Sequence, residues 1–259
     1  NGFIKNILSD EDNRLVFIKD NSSGEYYAAN RNYDNKDFEV FETLVGQGYS
    51  EIHSVYNGIK TIFKLFVPSS GYAECWEVTV ENVSGKRRDI SVYAYAHVDT
   101  ALTLIDGQTR VNYFDDINCI HAVHNGCKVK TDVTVPTKLT NMFFSSDTGP
   151  DYYETSNRRF KGVYSEISHP IALREDNLSS ELTCFELKPA MAMQFKAILD
   201  SGEKKVYRFL LGAAESPEET RAMCNKFLNN KAFANELSKV ESSISEFQKN
   251  VFVLTPDSD

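Results

Sequence analysis

The side chains with the most chemical potential lie in one short run. Cys119, His121, His124 and Cys127 form the pattern C-x-H-x-x-H-x-x-C, four nitrogen and sulfur ligands of the kind zinc prefers. Their placement argues against a metal. Asn125-Gly126 is a two-residue hairpin signal, which sets His124 opposite Cys127 on one face of a sheet. Alternation then points Cys119 and His121 to the other face, and four ligands cannot converge through a sheet. No metal is expected. Asp115-Asp116 is an adjacent carboxylate pair, but neighbours in a strand point apart, so a solvated loop is the reading. His97 and His169 have no partner pattern around them and read as structural histidines. The sequence contains no G-x-S-x-G, no H-E-x-x-H, no P-loop and no G-x-G-x-x-G after a strand. Gly46-Gln47-Gly48-Tyr49 is only a G-x-G-Y turn before a strand. No catalytic residue is assigned within this chain.

Aromatic residues make up 12%, with 13 Tyr and 17 Phe but one Trp, enough for platforms that stack on sugar rings while Arg, Asn and Asp bond the hydroxyls. Tyr26-Tyr27, Tyr152-Tyr153 and Arg158-Arg159-Phe160 would serve if exposed. Core packing is the commoner fate of such rings in a β protein.

The elements that must position these groups are strands. Up to about residue 212 the chain repeats short runs of Val, Ile, Tyr, Phe and Thr between the turn dipeptides Ser23-Gly24, Asn57-Gly58, Ser84-Gly85, Asn125-Gly126 and Ser201-Gly202. The clearest hairpin joins 51–56 to 59–67 through Asn57-Gly58, and Pro68 ends it. Further strands are predicted at 15–20, 73–82, 89–98, 118–124, 128–135, 191–200 and 204–211. The connections are too short for parallel crossovers, so the strands pair antiparallel, and so many require two packed sheets. The period then changes. Ser216-Pro217-Glu218-Glu219 is a helix start, with Ser216 as cap, Pro217 in the first turn and Glu219 closing a capping box onto the Ser216 N–H. Met223, Cys224, Phe227 and Leu228 share one face, Asn229-Asn230 interrupts, and Phe233, Leu237, Val240, Ile244 and Phe247 form a second apolar stripe. That stripe must lie either on the sandwich or against a following domain.

The length of 259 residues, 41% apolar, allows a large core, and 37 acidic against 28 basic residues give a net charge of −9. So acidic a chain disfavours nucleic acid and anionic membrane surfaces as partners. No apolar run approaches the ~20 residues that span a bilayer. The start at Asn1-Gly2 is neither an initiator Met nor a signal peptide, so the numbering is expected to begin inside a longer protein. Five dispersed cysteines in a chain with a core read as reduced, in a cytoplasmic setting.

Several segments together resemble the N-terminal β domain of the inverting glycoside phosphorylases of glycoside hydrolase family 94. These include phosphorylases of cellobiose, cellodextrin, chitobiose and β-1,2-oligoglucan, with the related part of cyclic β-1,2-glucan synthases. The matching stretches are Gly24-Glu25-Tyr26-Tyr27, Gly46-Gln47-Gly48-Tyr49-Ser50, Gly58-Ile59, Phe66-Val67-Pro68, and Trp76 through Glu81-Asn82-Val83-Ser84 with Arg88. Arg159-Phe160-Lys161-Gly162, Pro170 and the run from Phe209 to Ala214 follow in order. Tyr27 stands where the family often has Trp, and Ser156-Asn157 where an Asp-Arg pair is common.

The resemblance implies a mainly β, antiparallel two-sheet supersandwich of the galactose mutarotase type over 1–214. A helical linker over 215–259 would lead to an (α/α)6 barrel beyond this chain. In that family the general acid and the phosphate ligands lie in the barrel. Phosphate attacks the anomeric carbon as the acid protonates the glycosidic oxygen, the two-group logic of an inverting glycosidase. The expected role is thus a non-catalytic domain of a β-glucoside phosphorylase, with no cofactor and with inorganic phosphate as co-substrate of the parent. The expected partners are a β-linked oligosaccharide, the chain's own barrel, against which Phe233, Leu237, Val240 and Ile244 would dock, and a second copy in a homodimer. Substrate-cleft residues implied by the resemblance are Gln47, Tyr49, Arg158, Arg159 and Phe160. Two rivals are a stand-alone sugar-binding module and an aldose epimerase using His97, His169 and Glu166. Fold likeness alone does not license the latter chemistry.

Overall fold

A computed structural model describes residues 12–97, 109–124, 141–181, 183–186 and 189–249. Two sheets hold all the described strands, and every pair in them is antiparallel. One has the order β11 (Tyr152–Glu154), β13 (Ala190–Leu199), β7 (Arg88–His97), β1 (Arg14–Asp20) and β2 (Tyr26–Ala28). The other runs β12 (Thr183–Glu186), β8 (Thr109–Phe114), β9 (Cys119–His124), β10 (Asn141–Ser146), β14 (Lys204–Ala214), β6 (Ala73–Asn82), β5 (Ile59–Phe66), β4 (Tyr49–Tyr56) and β3 (Val40–Val45).

The predicted hairpin forms between β4 and β5, with Asn57 at φ 50° and Gly58 at φ 73°, the two positive angles a type I′ turn requires. Between the sheets, one parity of each central strand fills the core: Ile90, Val92, Ala94 and Ala96 of β7 face Trp76, Val78 and Val80 of β6. Trp76 is fully buried, with the Phe144 ring 4.9 Å and the Phe63 ring 5.5 Å away. The expected strand at 128–135 and the Asn125-Gly126 turn lie outside the described residues. Strands β3, β8, β10 and β12, absent from the sequence-based expectation, complete the larger sheet.

Each sheet also has a covered outer face. On the five-stranded sheet, Phe17, Tyr93, Tyr95 and Ala192 pack under the 155–178 connection, which contributes Phe160, Ile167, Leu173 and Leu178. The nine-stranded sheet is covered by α2 (Pro217–Phe227) and α3 (Asn230–Gln248). Ser216 caps α2, its Oγ accepting from the Glu219 N–H at 3.2 Å with Pro217 in the first turn. The reciprocal bond differs from expectation: Glu219 Oε2 accepts from the Glu215 N–H at 2.7 Å, one residue before the cap. Asn229, read as an interruption, is the cap of α3 and accepts from the Ala232 N–H.

The apolar stripe of α3 corrects the expectation that it docks on a following barrel. Phe233 and Val240 are buried, Leu237 and Ile244 half-buried, and all four pack on the sandwich, with Phe233 edge-on to Phe66 at 5.0 Å. The sheet's outer face carries Phe66, Cys75, Phe143 and Leu210, and α3 covers them together with Met223, Cys224 and Phe227 of α2. Phe247, the last of the stripe, is 71% exposed.

Candidate functional site

The resemblance marks two groups of residues, and the structure holds them on opposite outer faces of the sandwich. Gln47 and Tyr49 belong to the turn between β3 and β4. Gly46 has its position because the Tyr49 ring occupies the space of a Cβ, with ring carbons close enough to clash. Gly48 sits at φ +85° and a Cβ there would meet Ile244 Cδ1 at 2.8 Å, with Val240 Cγ1 nearer still. Gln47 Nε2 donates to Gln248 Oε1 at 2.8 Å, and Lys64 Nζ lies 5.2 Å above the Tyr49 ring. The G-x-G-Y turn is therefore the seat of α3. Beside it, Val45, Tyr49, Leu65, Val67, Val240 and Ile244 line an open apolar groove of about 460 Å³.

Arg158, Arg159 and Phe160 form the short helix α1 (Asn157–Phe160) on the other face. Ser156 Oγ caps it by accepting from the Arg159 N–H, the job an Asp at that position would do. Arg159 Nε donates to Glu154 Oε1 at 3.0 Å and its Nη1 lies 2.8 Å from Glu181 Oε2. Glu154 is 2% exposed and also accepts from the Thr155 and Ser156 N–H groups and from Ser179 Oγ at 2.7 Å. Phe160 is fully buried, stacked on Tyr95 at 4.7 Å, so it is packing and not a surface platform. Arg158 remains exposed. The paired aromatics follow the same rule: Tyr27 and Tyr153 are buried, and Tyr153 stacks on Tyr113 at 4.0 Å. Sequence reasoning missed Glu154. The available signal was a carboxylate two residues before a helix cap and five before an arginine.

The Cys/His run behaves as alternation requires on its described part. Ile120 and Ala122 enter the inter-sheet core, while Cys119 lies on the outer face under α2. His121 is 1% exposed, its ring 5.1 Å from that of Phe114, and neither ring nitrogen has a hydrogen-bond partner among the described residues. Burial, reinforced by the Arg221 charge, pushes its pKa down to about 4, so it is neutral at pH 7. The His124 side chain and Cys127 lie outside the described residues, and no three metal-ligating side chains converge among those described. Asp116 is solvated, as expected, and pairs with Arg221 of α2 at 2.9 Å. His97 is buried with Nδ1 3.4 Å from the Tyr95 hydroxyl, whereas His169 is half-exposed and pairs with Asp34, and Glu166 is exposed. That arrangement does not assemble the acid–base set an epimerase would need.

A different concavity, of about 450 Å³, opens between the loop after β2 and strands β3 and β4. Asn30, Arg31, Asn32, Tyr33, Phe41 and Thr43 line it. Arg31 and Tyr33 converge there on Asp12, the Tyr33 hydroxyl donating to Asp12 Oδ2 at 2.7 Å. Aromatic faces beside amide and guanidinium donors are the elements of a saccharide subsite. No described helix is long and apolar enough to cross a membrane.

Residues 3–230 match the family described as "Glycosyl hydrolase 94, supersandwich domain". Cellobionic acid phosphorylase of Neurospora crassa is 26% identical over 250 residues, which are 95% of this chain and 31% of that protein. N,N'-diacetylchitobiose phosphorylase of Vibrio furnissii is 26% identical over 84% of this chain and 27% of its own length. The chain thus spans about a third or less of these relatives. Among solved structures, a bacterial glucoamylase complexed with acarbose superposes with a TM-score of 0.60 over 91% of this chain and 31% of that one, at 9% identity, a likeness of fold alone.

Proposed function

The chain belongs to the glycosyl hydrolase 94 supersandwich family, and on that premise we propose that it is the non-catalytic sandwich of a longer inverting glycoside phosphorylase. The parent's substrates are a β-linked oligosaccharide and inorganic phosphate. Its general acid and phosphate ligands lie in a helical barrel outside these residues. One observation carries the reading: the chain aligns along 95% of itself with a phosphorylase but along only 31% of that enzyme. The chemistry of its own residues agrees, since Arg159 is held by Glu154 and His121 is a buried neutral ring. In the parent the sandwich supports a homodimer and the acceptor side of the substrate cleft, with Gln47, Tyr49, Arg158 and Arg159 as its contacts. A cytoplasmic setting belongs to the same proposal, and the free thiols of Cys75, Cys119 and Cys224 suit it.

The test is phosphorolysis. The 259-residue chain incubated with phosphate and cellobiose or diacetylchitobiose should release no sugar 1-phosphate. Release at enzymatic rates by this chain alone would overturn the proposal. A second reading, a stand-alone sugar-binding module, draws on the Arg31–Tyr33–Phe41 concavity. It predicts millimolar or tighter binding of a β-glucan oligosaccharide by calorimetry, lost in Tyr33→Ala.

A further inference from the structure

On the outer face of the nine-stranded sheet, Cys119 and Cys75 share one cross-strand row. Cys119 of β9 stands opposite Ser145 of β10, Ser145 opposite Leu210 of β14, and Leu210 opposite Cys75 of β6. Neighbouring strands lie about 4.8 Å apart, so three steps separate these cysteines by ~14 Å. A disulfide needs Cα atoms within ~7 Å, so the row cannot close on itself. A further thiol, Cys224, comes down on it from α2, on the buried side that also holds Thr220, Met223 and Phe227. One helical turn earlier, Arg221 pairs with Asp116 at 2.9 Å and lies 5.0 Å over the Phe114 ring. Phe114 is the residue opposite Cys119 on β8. The helix is thereby seated over the Cys119 end of the row, where Cys224 meets Cys119 and Ser145. The Cys119 S–H has two acceptors there, the Ile120 carbonyl oxygen at 3.6 Å and the Cys224 sulfur.

The two sulfurs are unequal. The Cys119 hydrogen bond, with help from the Arg221 charge, holds the Cys224 thiol below its ordinary value against its burial. Burial pushes the Cys119 thiol up, and it pushes that of Cys75, at the far end of the row, up to about 12. Cys224 therefore ionises first, with Cys119 beside it as the resolving thiol. At 4% exposure Cys224 suits an oxidant little larger than water and excludes a bulky disulfide.

We propose that Cys119 and Cys224 are a dithiol switch, oxidised by hydrogen peroxide to a disulfide that ties α2 to β9. The Cys224 thiolate attacks one peroxide oxygen, the O–O bond breaks and hydroxide leaves, so that Cys224 becomes a sulfenic acid. The Cys119 sulfur then attacks the Cys224 sulfur. The S–O bond breaks, and the hydroxyl leaves with the Cys119 proton as water. Counting the proton that Cys224 gave up, two thiols and one peroxide yield one disulfide and two waters, and the sulfurs supply both electrons. The new bond closes a long loop and so restricts the unfolded chain, while a thiol reductant reverses it.

The switch goes beyond the phosphorylase reading and does not depend on it. Peptide mapping by mass spectrometry tests it, on the reduced 259-residue chain treated with hydrogen peroxide, alkylated and digested without reductant. The expected product is one cross-linked peptide pair containing Cys119 and Cys224, with Cys75 still alkylated. The urea midpoint should rise on oxidation and return with dithiothreitol. Cys224→Ser should lose both the cross-link and the rise, whereas Cys75→Ser should keep both. Cys119→Ser should leave Cys224 as a sulfenic acid that dimedone traps, a signature no purely structural thiol gives. If a serine variant fails to fold, the wild-type map decides alone. Free thiols at a peroxide dose that oxidises the methionines would overturn the proposal. A disulfide joining any other pair would do so too, and so would a Cys119–Cys224 bond that left the midpoint unmoved.

Discussion

Gln47 and Gln248 stand 201 positions apart in sequence, yet Gln47 Nε2 donates to Gln248 Oε1 at 2.8 Å. Their contact closes the β3–β4 turn onto the last turn of α3. It shows what the G-x-G-Y motif is for in this chain: two missing side chains make room, one for Tyr49 and one for the helix.

Gly48→Ala should therefore loosen α3. Its Cβ would enter the space of Val240 and Ile244 while holding a left-handed backbone, and together these cost about 2–3 kcal/mol. Gly24 has a similar φ of +75° but open space around it, so Gly24→Ala carries backbone strain alone, about 1 kcal/mol. Urea midpoints of the two variants measure the difference. Equal losses would mean that the helix does not press on Gly48.

Glu154 and Glu181 both touch Arg159, but burial separates them. Glu154→Gln replaces the 2%-exposed carboxylate that binds the 36%-exposed Arg159 side chain and accepts from the Thr155 and Ser156 N–H groups, an expected loss of about 2 kcal/mol. Glu181 is 57% exposed at its side chain, and Glu181→Gln should cost under ~1 kcal/mol. Thermal unfolding of both variants checks the order. A larger loss at Glu181 would contradict the assignment of Glu154 as the anchor of α1.

His121 makes stability depend on acid. Its pKa is depressed to about 4 in the folded chain against 6.5 for an ordinary histidine, so the unfolded state takes up the proton first. The contribution is complete above pH 6.5 and is lost as pH falls towards 4, by up to about 3 kcal/mol. Arg221, whose charge faces the ring, adds to the effect. Carboxylates such as Asp20 and Glu51, held below their usual range by hydrogen bonds and nearby cations, also weaken the fold in acid, so the comparison must be with His121→Leu. Denaturant curves at pH 7 and near pH 4.5 should show wild type losing more than the variant. Parallel losses would refute the role of His121.

Legibility in the sequence followed the range of the forces involved. The β4–β5 hairpin was readable because Asn57-Gly58 meets its turn requirement locally, and the Ser216 cap because a hydroxyl and an N–H three residues on are enough. β10, Asn-Met-Phe-Phe-Ser-Ser, escaped because every residue in it is buried, which erases the polar alternation that marks a strand. β3 escaped for the opposite reason: every residue is exposed, and its place comes only from pairing with β4. The candidate site was half readable. The motifs that carry the family resemblance were visible, but not that Gly48 faces Val240, nor that Arg159 is tied to a buried Glu154 and Phe160 to Tyr95.

By itself the order of residues determined the antiparallel β architecture, the helical tail and the kinship with phosphorylase sandwiches, since turn chemistry, two-residue alternation and helix capping act within a few positions along the chain. Only the tertiary structure decided which face of the sandwich α3 covers, that His121 is neutral and buried, and that β3 pairs with β4 while staying exposed along its whole length. Those outcomes depend on burial and on which surfaces meet, quantities that belong to the packed sheets and to no local stretch of sequence.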